Sequence, residues 1–136
     1  MDTYLATVIS NEQVADKIFR IELQGDVVKE MNTPGQFVNI KVSNSYEFLL
    51  RRPISICEIN KEKNTFVMVY RADGAGTKKI SELEAGDLVD VLGPLGKGYD
   101  VYTLEKGQTA LLVGGGIGVP PLYELAKQLD RRASLG

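Results

Sequence analysis

Three clusters in this chain have residue types and spacings that can do chemistry. The first is Arg51-Arg52-Pro53-Ile54-Ser55. A guanidinium beside a proline rests on a backbone whose φ the ring has already set. There it can grip a phosphate through two parallel N–H donors. Ser55 lies two residues beyond Pro53, can share a strand face with it, and adds a hydroxyl donor or acceptor. The second is Val69-Tyr70-Arg71-Ala72-Asp73-Gly74-Ala75-Gly76-Thr77. A strand ends in an aromatic and an arginine, and a glycine loop delivers the chain to a helix start whose free N–H groups suit an anion. The third is Gly114-Gly115-Gly116-Ile117-Gly118-Val119-Pro120-Pro121, between an apolar strand and a helix. That order of elements opens a nucleotide-binding α/β half, although the glycines do not fit G-x-G-x-x-G and are weak as a pattern. Each cluster also has a plainer reading: solvated arginines at a strand start, a turn with Thr77 as a simple helix cap, and tight strand–helix packing with no ligand.

Composition removes other chemistries. The 136 residues contain no histidine and one cysteine, Cys57. Imidazole bases, histidine ligation of metal or haem, internal disulfides and thiolate cages are therefore out of reach. Cys57 reads as a small buried hydrophobe. A net charge of −2 gives no reason to expect nucleic acid or anionic membrane as partner. Met1-Asp2-Thr3-Tyr4 lacks the charged and apolar regions of a signal peptide, and no run reaches the length of a membrane helix. A cytoplasmic location is the expectation. Arg131-Arg132-Ala133-Ser134 has the form of a basophilic kinase site but is more simply read as a loop start.

The elements that must position these clusters are mostly strands. Residues 5–9, 18–23, 37–42, 54–59, 65–70 and 87–92 are apolar or alternating, with turn signals between them. Phe19, Ile21 and Leu23 share one face. Pro34-Gly35 makes a turn, residues 60–64 close a hairpin, and Gly93-Pro94 ends the last strand. Six strands at this spacing predict a small antiparallel barrel. Thr77 is read as the cap of a short helix whose inner face is Ile80 and Leu83. Residues 109–113 form an unbroken apolar run, the pattern of a strand covered on both faces. A second helix begins at Pro120 or Pro121, with Leu122, Leu125, Ala126 and Leu129 as its apolar stripe. The fold class expected is mainly β: a barrel over 1–98, a linker over 99–108, and the first strand, glycine turn and helix of a nucleotide-binding domain over 109–136.

In order and spacing the three clusters, with Leu92-Gly93-Pro94-Leu95-Gly96 between them, resemble the ferredoxin-reductase-type flavoproteins. Within that family they look most like the branch that serves as electron-transfer subunit of NAD-linked dihydroorotate dehydrogenase. An isoleucine at position 54, where many relatives carry an aromatic, supports that branch. The resemblance implies a barrel that binds FAD, followed by an NAD-binding domain. It places Arg52 on the FAD pyrophosphate, Pro53 and Ile54 along the isoalloxazine, and Ser55 near the reactive flavin nitrogen. It places Val69, Tyr70 and Arg71 on the ribityl and phosphate portion, and Gly76 with Thr77 on the pyrophosphate. Gly115, Gly116 and Gly118 would face the nicotinamide nucleotide.

The resemblance also implies electron flow from NADH through FAD and a [2Fe-2S] cluster to a catalytic dihydroorotate dehydrogenase subunit of pyrimidine biosynthesis. The four cluster cysteines have no counterpart here, and the strands that complete an NAD domain are missing from the sequence. This chain by itself is therefore expected to bind FAD weakly and to oxidise NADH poorly. Two rival expectations are a non-enzymatic barrel used for protein interaction, and self-association through residues 109–130.

Overall fold

Arg20 and Glu22 lie toward solvent while Ile21 and Leu23 between and beside them are fully buried, and this alternation repeats around a closed barrel. The computed structural model describes residues 2–41, 51–98, 124 and 126–130. The strands are β1 (Asp2–Ala15), β2 (Ile18–Gln24), β3 (Phe37–Lys41), β4 (Arg51–Asn60), β5 (Thr65–Arg71) and β6 (Leu88–Leu95). They close in the order β1-β2-β5-β4-β3-β6, every neighbouring pair antiparallel. The six-stranded barrel predicted from the pattern is present, with the Asn60–Thr65 hairpin joining β4 to β5.

The interior is filled by Val8, Ile21, Leu23, Val38, Ile40, Ile56, Phe66, Met68 and Val91, none more than 2% exposed. A 3-10 helix, Asp26–Glu30, adds the fully buried Val27 and Val28. Sequence patterning missed it, because two adjacent apolar residues carry no helical period. Its last carbonyls are held by Lys61, whose Nζ donates to Val28 O at 2.7 Å, Lys29 O at 3.2 Å and Asn32 Oδ1 at 3.1 Å.

Helix α1 (Ala75–Ser81) packs Ile80 into the core, with Leu83 against it. β6 does not stop at Gly93-Pro94. It runs through that cis bond to Leu95, with Gly93 opposite Asp2 and Leu95 opposite Phe37. Proline costs β6 only one N–H, and β3 still pairs beyond it, at Leu95. A β-bulge interrupts β4 between Ile56 and Glu58, at Cys57. Cys57 is half-buried there rather than enclosed, and burial pushes its thiol upward, with the Glu58 charge adding to the shift.

Glu124 and residues 126–130 are helical, as expected from the C-terminal pattern. Of the expected apolar stripe, Leu129 is half-buried but Ala126 is exposed, and Glu124, outside the stripe, is 1% exposed. The expected strand at 109–113, the glycine turn at 114–118, Leu122, Leu125 and the Arg131–Ser134 motif lie outside the described residues.

Candidate functional site

Two adjacent arginines open β4, and the strand sends them to different places. Arg51 reaches across β3 to β6: its Nη2 lies 2.6 Å from Asp90 Oδ1. Its Nη1 donates to Asn39 O at 3.3 Å and Asp90 O at 3.4 Å. Arg51 is thus consumed in holding three strands together. Arg52 pairs with no carboxylate among the described residues. Its aliphatic stem and Nε lie against the backbone of Gly76 instead. A Cβ at Gly76 would come within 2.6 Å of Arg52 Nε and 3.1 Å of Cγ. The guanidinium is therefore seated at the first turn of α1 through a gap that only glycine leaves open.

Beyond Arg52 the strand alternates. Pro53 is exposed and Ser55 half-buried on the outer wall, while Ile54 points inward and is 5% exposed in the core. The registered pairs of β4 with β5 run from Asn60–Thr65 to Ile56–Met68 and end there. Arg52–Ser55 and Val69–Arg71 lie past the last pair, where the two strands no longer bond to each other. The sequence clusters around Arg52 and Tyr70 are thereby brought to one mouth of the barrel, beside α1.

On β5, Val69 is half-buried and Arg71 exposed, both on the outer side. Tyr70 turns inward. Its ring stacks on Phe19 with centroids 5.8 Å apart, and its hydroxyl donates to Asn11 Oδ1 at 3.1 Å. Asn11 Nδ2 in turn donates to Ile80 O at 2.9 Å and Leu83 O at 3.0 Å. Tyr70 thus fixes the far end of α1 and, through it, the place of Gly76. Burial pushes its phenol up to about 12. Nothing in the sequence marked Asn11, whose partners are distant along the chain.

Thr77 is not the helix cap. Gly74 holds that position, and Thr77 sits three residues in. Thr77 Oγ1 accepts from Gly74 N and donates to Gly74 O, each at 3.2 Å. This reciprocal closure stiffens the glycine loop, a threonine taking the part usually played by a longer polar side chain.

Arg52 Nη1 donates to Arg51 O at 3.5 Å, and with no carboxylate on it among the described residues the guanidinium can hold an anion beside α1, with an outer wall of Pro53, Ser55 and Val69 able to take a flat ring. Bulk at Gly76 would displace Arg52, so glycine at this position keeps the guanidinium at the first turn of α1. Gly115, Gly116 and Gly118 lie outside the described residues.

Residues 6–99 match the family model described as the oxidoreductase FAD-binding domain. The chain is 58% identical over 122 residues to the electron transfer subunit of dihydroorotate dehydrogenase B (NAD(+)) of Bacillus mycoides strain KBAB4, covering 90% of this chain and 47% of that one. The corresponding subunit of Bacillus cereus strain AH187 is 57% identical over the same lengths. The chain spans about half the length of these relatives. Among solved structures, an NADH-dependent reduced ferredoxin–NADP oxidoreductase superposes with a TM-score of 0.80 at 31% identity, over 93% of this chain and 44% of that one. Phthalate dioxygenase reductase, described as modular for electron transfer from pyridine nucleotides to [2Fe-2S], gives 0.72 at 26% identity, over 95% and 40%.

Proposed function

Because this chain belongs to the oxidoreductase FAD-binding domain family, we propose that residues 1–98 are the flavin-binding barrel of an electron-transfer subunit. In the whole subunit, electrons pass from NADH through FAD and an iron–sulfur cluster to a catalytic dihydroorotate dehydrogenase partner. The similarity to subunits of that name supports this substrate chain and partner. Residues 109–136 are then the beginning of the nucleotide-binding half, after a linker over 99–108, with Gly115, Gly116 and Gly118 toward the nicotinamide nucleotide.

The observation that carries the reading is the seat of Arg52 on Gly76. Arg52 would bind the pyrophosphate bidentately, with Gly76 and Thr77 supplying the adjoining backbone. Pro53, Ser55, Val69 and Arg71 would border the ring and ribityl portions from the outer wall. Ile54 and Tyr70 support this surface from inside, Ile54 by filling the core behind Pro53 and Ser55, Tyr70 by anchoring α1 through Asn11. When bound, FAD supplies the exchange between a two-electron hydride donor and one-electron acceptors; the chain supplies binding and orientation.

The test is a visible absorption titration of the purified protein with FAD, repeated on the double variant Arg52→Ala, Ser55→Ala. Saturable binding that the double variant loses while keeping its fold supports the reading. Equal binding by both would reject Arg52 and Ser55 as the site.

A further inference from the structure

Among the described residues, strand β4 has an open side past its pairing with β3. β3 reaches only as far as Ser55, and Ile56 N donates to Gln36 O at 3.0 Å. Three residues on, the backbone of Ile59 is met by side chains instead of a strand. Glu124 Oε1 accepts from Ile59 N at 2.8 Å, and Lys127 Nζ donates to Ile59 O at 3.1 Å. One residue's N–H and C=O are thus satisfied by an acceptor and a donor set one helical turn apart.

The surroundings show that this contact is built. Glu124 is 1% exposed, and its second oxygen accepts from Gln128 Nε2 at 2.8 Å. Lys127 Nζ lies 3.6 Å from Glu124 Oε1 and 3.3 Å from Glu58 Oε1. A carboxylate this buried persists only when its hydrogen bonds and counter-charge are supplied.

We propose that Glu124 and Lys127 form a latch that replaces a strand at Ile59 and fixes the C-terminal helix on the barrel, before any nucleotide binds. Two bonds to one residue set both the distance and the rotation of that helix relative to β4. The opposite end of β4 carries Arg52 and Ser55, and the helical residues come after the glycine cluster 114–118 in sequence. The latch therefore positions the nucleotide half against the flavin surface, a consequence that rests on the function proposed above. Glu124 and Lys127 are positioning residues.

Amide hydrogen exchange on the ligand-free 136-residue chain tests this. Glu124→Ala should speed exchange at Ile59 and residues 126–130 by roughly tenfold or more, leaving Ile21 and Met68 unchanged. Glu124→Gln keeps an acceptor at the same reach and should restore protection at Ile59. Glu124→Asp, one methylene short, should behave like alanine. Unchanged Ile59 exchange in Glu124→Ala, no rescue by glutamine, or an unprotected helix in the parent chain would each overturn the latch. Should Glu124→Ala loosen the whole barrel, Lys127→Met decides: faster exchange confined to 126–130 supports the proposal, and no change overturns it. No flavin is present, so the outcome is independent of whether the chain binds FAD.

Discussion

Arg52 occupies the space that a side chain at Gly76 would need, its Nε only 2.6 Å from the position of a Cβ there. Arg52 comes from β4 and Gly76 from α1, and their contact places at the first turn of α1 a cation with no ion pair among the described residues. Arg51, its neighbour in sequence, is held by Asp90 on the other side of β4. One arginine serves the barrel, and the other is the one proposed above to hold the pyrophosphate.

Arg52→Ala should weaken FAD binding by about 10- to 100-fold, the worth of one charge-assisted bidentate contact. Arg52 makes no ion pair among the described residues, so thermal stability should be nearly unchanged. A titration followed by flavin absorbance, with a melting curve on the same sample, checks both.

Arg51→Ala should do the reverse. Loss of the 2.6 Å contact to Asp90 and of two carbonyl bonds should cost about 1–2 kcal/mol in urea unfolding, with FAD affinity held within about twofold.

Gly76→Ala separates a ligand cradle from an ordinary helical glycine. In an ordinary helix alanine gains about 0.5–1 kcal/mol over glycine. Here the new Cβ must push Arg52 aside. FAD binding should fall nearly as far as in Arg52→Ala, while stability changes little. A more stable protein with unaltered FAD affinity would show that the contact has no role in binding.

Tyr70 gives a pH signature. Its phenol is pushed from 10.0 to about 12 in the fold, chiefly by burial. Between those values the unfolded chain releases the proton and the folded chain keeps it, so unfolding becomes easier as pH rises. The contribution is fully present below pH 10.0 and is lost through about 12, on the order of 2 kcal/mol in all. Tyr70→Phe should flatten that part of the stability–pH curve. It should also loosen α1, since Asn11 loses its partner. Urea unfolding at several alkaline pH values measures the difference.

The barrel was legible because two-residue alternation in segments such as 18–23 and 65–70 is imposed by burying one face of a strand. The site was legible only in part. Alternation also assigns Tyr70 the inward face it shares with Phe66 and Met68, a signal that the motif reading passed over. The division of labour between Arg51 and Arg52 depends on Asp90 and Gly76, which patterning along the chain does not bring near them. Thr77 looked like a cap because threonine favours that position, but glycine took it and left Thr77 to close the loop. Glu124 was hidden for another reason. An apolar stripe describes a helix that packs on side chains, and this helix packs on an open strand edge, where a buried carboxylate is the better partner for an N–H.

The visible spectrum of the purified protein during titration with FAD is the most direct test of flavin binding at Arg52 and Ser55. The parent chain should form a saturable flavin band that the folded Arg52→Ala, Ser55→Ala variant does not. No flavin binding by the parent chain at saturating FAD would contradict it.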